Sequence, residues 1–253
     1  MRGSRVIPVL LISDREMIKT RQYKKPVYVG DPLNIIRIFN DKEVDELMII
    51  DIGKSKTKVD PDYDYIQQMA EECFLPLCYG GGVSSIEQMQ KIYQLGVEKI
   101  ALNLSVHEQP NFIKDAVSIF GSQSVVVSMD VKSNWRKVQQ VVKTAPKIRA
   151  TSWAPLEYAE FVASLDVGEL LVNVIDREGC YCGYDLVLLK AICQSLKIPV
   201  IINGGASSVD DFVAAVDVGA SAVAAGSMFI FTGKHQAVLV SYPPQSILNK
   251  KLQ

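Results

Sequence analysis

The residues best suited to chemistry in this sequence are a carboxylate at the end of an apolar run and two glycine clusters. In Val125-Val-Val-Ser-Met-Asp130 the charge closes a buriable segment. A carboxylate held at the tip of a buried strand can have the shifted protonation that general acid–base work needs. Asp51 and Asp176 end similar runs, and all three also fit the plainer role of accepting hydrogen bonds from loop amides. Gly80-Gly81-Gly82 and Gly204-Gly205 are each followed by a Ser-Ser pair and an amphipathic stretch. Glycine lets backbone N–H groups approach an anion, and a following helix N-terminus adds its dipole, so each cluster is a candidate phosphate cradle; a tight turn would use the same residues. Asn103-Leu104-Ser105 and Gly226-Ser227 offer a second set of donors one unit further on.

Two other groups carry charge in a pattern. Arg5, Glu46, Lys99 and Glu169 fall at the starts of apolar runs, so two cations and two anions could close a ring at one end of a bundle of strands. Residues 14–31 form a long connection bearing Lys19, Arg21, Lys24 and Lys25 with Tyr23 and Tyr28, as expected of a mobile lid closing on an anionic ligand. A solvated, charged loop would read the same way.

The elements that position these residues alternate strictly. Short β-branched runs at 6–11, 47–51, 75–79, 99–103, 125–130, 170–175, 200–203 and 222–225 are apolar almost throughout, as in strands buried on both faces. Amphipathic stretches at 31–44, 60–73, 85–95, 110–120, 155–165, 185–196 and 209–218 lie between them, several opened by Asp, Ser or Pro. Eight such units without a linker predict one (β/α)8 barrel over the whole chain, with Asp130 and the glycine clusters at the C-terminal strand ends where barrel enzymes build their sites.

A repeat supports this. At an offset of 123 residues Glu46 matches Glu169, Pro76 matches Pro199, Gly81-Gly82 match Gly204-Gly205, and Gly96 matches Gly219. We therefore expect two half-barrels, approximately 1–122 and 123–253, and a ligand with two similar ends, most simply a bisphosphate.

Composition excludes several function classes. With 27 basic against 28 acidic side chains there is no excess positive field to hold nucleic acid. The longest uncharged stretch, 218–233, is shorter than the ~20 residues of a membrane span. The N-terminal apolar run contains Pro8 and lacks a small-residue cleavage pattern, so a cytoplasmic location is expected. Five cysteines suit reduced, mostly buried thiols, and Cys180-x-Cys182 is too short for the usual zinc pair, so no metal and no cofactor are expected.

Taken together, Arg5-Val-Ile-Pro8, Asp51-Ile, Gly80-Gly-Gly82, Asp130-Val-Lys132, Asp176-Arg-Glu-Gly179 with Gly183-Tyr184-Asp185, and Gly204-Gly205 resemble the cyclase subunit of imidazole glycerol phosphate synthase from residue 5 to about 231. The resemblance implies a (β/α)8 barrel with a glutaminase docked on its N-terminal face. Ammonia made there travels through the barrel to a bisphosphate ribonucleotide at the mouth. It implies that Arg5, Glu46, Lys99 and Glu169 form the gate. Gly81, Gly82, Asn103, Asn173, Asp176, Gly179, Gly204, Gly205, Gly226 and Ser227 would hold substrate and its phosphates, Lys19 would belong to the lid, and Asp130 would be one of two catalytic aspartates.

The other aspartate of the family ends strand one, where this sequence has Leu11, a side chain that cannot move a proton. Asp14 is an imperfect substitute, and Asn173-Val174 replace two small hydroxyl residues. The leading expectation is a paralogue adding channelled ammonia to a phosphorylated or nucleotide-linked acceptor, as in amidino-sugar synthesis for surface polysaccharide. Three alternatives stay open: an ordinary cyclase of histidine biosynthesis, a phosphosugar isomerase of the related fold, and a non-catalytic, ammonia-conducting activator of a glutaminase.

Overall fold

A computed structural model describes residues 3–57, 59–233 and 235–252. Eight parallel strands close a barrel: β1 (Arg5–Ser13), β2 (Leu47–Asp51), β3 (Leu77–Gly80), β4 (Lys99–Leu102), β5 (Val125–Ser133), β6 (Glu169–Val174), β7 (Val200–Asn203) and β8 (Ala222–Ala225). Each pairs with the next, and β8 returns to β1 with Arg5 opposite Ala222. The seven expected helices follow in place, from Pro32–Asp41 to Val209–Asp217, and Pro110–Phe120 has the bounds expected of it.

Side-chain alternation along the strands sorts the apolar residues into two cores. One set faces the helices and includes Phe39, Tyr158 and Phe212. The other is a separate inner cluster in the lumen, to which β1 gives Ile7 and Val9, β2 Met48, β3 Cys78 and β8 Ala222 and Ala224. Strand positions therefore stack in layers, with the charged residues Arg5, Glu46, Lys99 and Glu169 below and the polar residues Asp130, Asn173 and Asn203 above.

Helix starts show why these segments fold locally. The Asp31 and Asp185 side chains accept from the amides three residues on, as N-caps do. Gln88 Oε1 accepts from Ser84 N and Ser85 N, and Asp211 Oδ2 accepts from Ser207 N and Ser208 N, the same device 123 residues apart.

Two expectations need correction. Residues 14–31 are not an irregular loop: β1 continues into an antiparallel hairpin, Glu16–Arg21 with Lys24–Gly30, folded across the barrel mouth. Its two tight turns carry Asp14, Arg15, Gln22 and Tyr23 at positive φ, so neither shows the Asn-Gly signal of such turns. A second hairpin continues β5 into Gln139–Lys143. The thiols are free but not mostly buried: Cys78 is buried, while Cys182 is exposed.

Candidate functional site

At the C-terminal end of the barrel the βα loops enclose a cavity of about 830 Å³. Its wall contains Asp130, Lys19, Asn103, Asn173 and every glycine named above as a candidate cradle, with Ser227. Leu11 and Ile50 contribute the apolar part of the floor. Asp176 is the exception. Its carboxylate takes Lys132 Nζ at 3.0 Å and Ser133 N at 2.7 Å, and it is not among the lining residues. Burial pulls its pKa upward, but those two partners outweigh burial and hold it below the ordinary value. Asp51 likewise turns away from the cavity to cap Lys54 N at 2.9 Å, and burial raises its pKa despite that bond.

The glycine clusters are glycine for steric reasons. Gly81 and Gly205 have φ of +132° and +111°, and a Cβ there would lie 2.4 Å from Asp51 O and 2.1 Å from Gly183 O. At Gly226 a Cβ would meet Lys19 Nζ at 2.5 Å, so the ammonium sits against the Gly226-Ser227 loop. Lys19 comes from the hairpin, is fully enclosed and donates to Val9 O at 2.6 Å. Burial lowers its pKa to about 8, against the attraction of Glu178.

Asp130, at the mouth end of β5, is 4% exposed and accepts four hydrogen bonds. Thr144 Oγ1 lies at 2.9 Å, Asn173 Nδ2 at 3.0 Å, Asn103 Nδ2 at 3.1 Å and Tyr23 Oη at 3.2 Å. Burial still pushes its pKa up, the four donors opposing. Asn203 Nδ2 donates to Asn173 Oδ1 at 2.8 Å, extending the polar belt from β4 to β7.

Tyr23 was read only as part of a lid, and Thr144, Glu178 and Asn203 not as site residues. Asn203 had a signal: it stands 123 residues after Gly80, so the second half carries an amide where the first carries none. Glu178 anchors the hairpin tip, its carbonyl accepting from Gln22 N at 3.0 Å and its carboxylate from Thr20 Oγ1 and Tyr23 N.

At the opposite end Arg5 bridges Glu46 and Glu169, and Lys99 Nζ bridges the same two carboxylates at 2.8 and 3.3 Å. The four side chains close a ring below the lumen, and Glu46 Oε1 is buried in it without a hydrogen-bond partner among the described residues.

The model of the family described as "Histidine biosynthesis protein" matches residues 5–236. The chain belongs to this family. Within it the similarity is to the imidazole glycerol phosphate synthase HisF subunits. A protein of Pseudomonas aeruginosa, provisionally named imidazole glycerol phosphate synthase subunit hisF2, is 45% identical over 94% of this chain and 95% of its own. A provisionally named hisF3 of Vibrio vulnificus is 41% identical over 100% and 98%. The HisF subunit of Petrotoga mobilis is 35% identical over 92% and 94%. No helix among the described residues of this HisF-like chain is long and apolar enough to cross a membrane.

Proposed function

We propose that this chain is the synthase subunit of a glutamine-dependent complex. Its acceptor is a phosphorylated or nucleotide-linked sugar amidinated for surface polysaccharide, and it is a paralogue of the histidine-pathway cyclase. A glutaminase docks on the N-terminal face around the Arg5, Glu46, Lys99 and Glu169 ring. Ammonia passes that ring and moves along the apolar lumen, past the small side chains of Ala101, Ala222 and Ala224.

The acceptor lies in the mouth with its anionic group against Gly205, Gly226, Ser227 and the Lys19 ammonium. Asp130 takes up the proton that an attacking nitrogen must lose. A dry mouth that orients both reactants supplies much of the rate for such an addition.

One observation carries the choice of a paralogue. Leu11 lines the same cavity as Asp130, whereas Asp14, the carboxylate that follows β1, is exposed and is not among the lining residues. Opening and closing an imidazole ring uses two proton-transferring groups, and losing one forfeits roughly 10²–10⁴-fold in rate. Purified chain given ammonium chloride and the histidine-pathway bisphosphate is therefore expected to turn over at background level. Robust turnover that Asp130→Asn abolishes would make the protein an ordinary cyclase.

A further inference from the structure

Of the hairpin side chains that line the mouth, Lys19, Thr20 and Tyr23, it is Tyr23 that bonds Asp130. Its hydroxyl donates to Asp130 Oδ1 and accepts from Asn173 Nδ2. With Asn103, Thr144 and Asn173 it completes the four donors on Asp130. The phenol therefore stands where an acceptor in front of Asp130 would have to lie. The contact is held from outside, since Glu178 and the Asp176 carbonyl bind the tip through Thr20, Gln22 and Tyr23 N, with Gln22 Nε2 2.8 Å from Asp176 O.

We infer that Tyr23 is a removable internal ligand, its hydroxyl holding the place that a sugar hydroxyl of the acceptor takes when the hairpin lifts. This rests on the reading of the mouth as an acceptor site and narrows the group that binds there. The replacement must give a hydrogen bond to a carboxylate and receive one from an amide. A neutral alcohol does both. A phosphate or carboxylate oxygen would be repelled by Asp130, and an ammonium ion has no lone pair for Asn173. Free ammonia shares the donor–acceptor character of an alcohol and is the other source of the same chemistry. The acceptor shifts the hairpin only through its better affinity for the open arrangement, so the bonds of Tyr23 are subtracted from every binding event.

The test is calorimetric titration of wild type and Tyr23→Phe, which keeps the ring and removes the hydroxyl, with ribose 5-phosphate, inorganic phosphate and ammonium chloride as separate probes. The hydroxyl's hydrogen bonds predict that ribose 5-phosphate binds the variant roughly 2–10-fold more tightly, with inorganic phosphate changed less than about twofold. Unchanged or weaker ribose 5-phosphate binding would overturn the inference, making the phenol a fixed wall. A gain for ammonium chloride alone would assign the place to the nucleophile and overturn the sugar assignment. Inorganic phosphate binding without any advantage for ribose 5-phosphate in either protein would refute this inference and leave the phosphate cradle intact. Failure of both phosphates to bind would remove the cradle, and the inference with it.

Discussion

On the proposed function, Lys19 is the residue whose charge would decide how the mouth holds an anion. Burial lowers its pKa to about 8, so the ammonium that would face a phosphate at Gly226 persists below that pH and is lost above it. A phosphate monoester is already a dianion above about pH 7, so its own titration does not mask the effect. Affinity for ribose 5-phosphate is expected to fall as pH rises through about 8, whereas Lys19→Met binds weakly with no fall between about pH 7 and 9. Calorimetry across that range measures it, and a wild-type profile as flat as the variant's would contradict the assignment. Folding linkage runs the other way. The folded pKa lies below the unfolded value of 10.5, so the cost of the buried ammonium is complete below about 8 and is relieved as pH rises from about 8 to 10.5. Holding this cation in place therefore costs stability at neutral pH, as expected of a residue kept for binding.

Among the elements, the hairpin Glu16–Arg21 with Lys24–Gly30 connects the barrel to its ligand. Its tip is fastened through Thr20, Gln22 and Tyr23, and one of the anchors is the buried Glu178 carboxyl, whose pKa is raised by burial against the Tyr23 amide and Lys19. Glu178→Ala should loosen the tip and speed tryptic cleavage at Arg21 and Lys24 several-fold, while near-ultraviolet signals of the barrel remain; cleavage at the wild-type rate would mean that the hairpin stands without this anchor. The barrel strands were legible in the sequence because a strand buried on both faces is one apolar run, and β2, β7 and β8 have the bounds read from it. The hairpin was not legible. Its outer strand, from Lys24, is largely exposed and its turns use Gln22 and Tyr23 in left-handed backbone without glycine, so it lacks both apolar alternation and turn signature. The site divides in the same way. Asp130, Asn103 and the glycine clusters lie at strand ends and could be placed by counting, whereas Tyr23, Thr144 and Glu178 reach it from connections whose path depends on tertiary contacts.

At the scale of the whole molecule, a ring of two cations and two anions closes one end of an apolar lumen, and a polar belt with glycine-rich loops closes the other. A buried ionic ring is weak evidence for stability, because well-packed apolar residues would serve as well or better. Its placement across the lumen entrance suits passage. On the proposed function the route of nitrogen is in through the ring and out at the mouth. It is tested most directly by narrowing the lumen with Ala224→Leu in the chain assembled with its glutaminase. Product formed from ¹⁵N-amide glutamine is then compared with product formed from ammonium chloride. We predict that the glutamine-driven yield falls at least about tenfold, an added barrier of about 1.4 kcal/mol, while the ammonium-driven yield is retained. Equal yields from glutamine in the variant and the wild type, with the variant folded and the complex intact, would contradict the account.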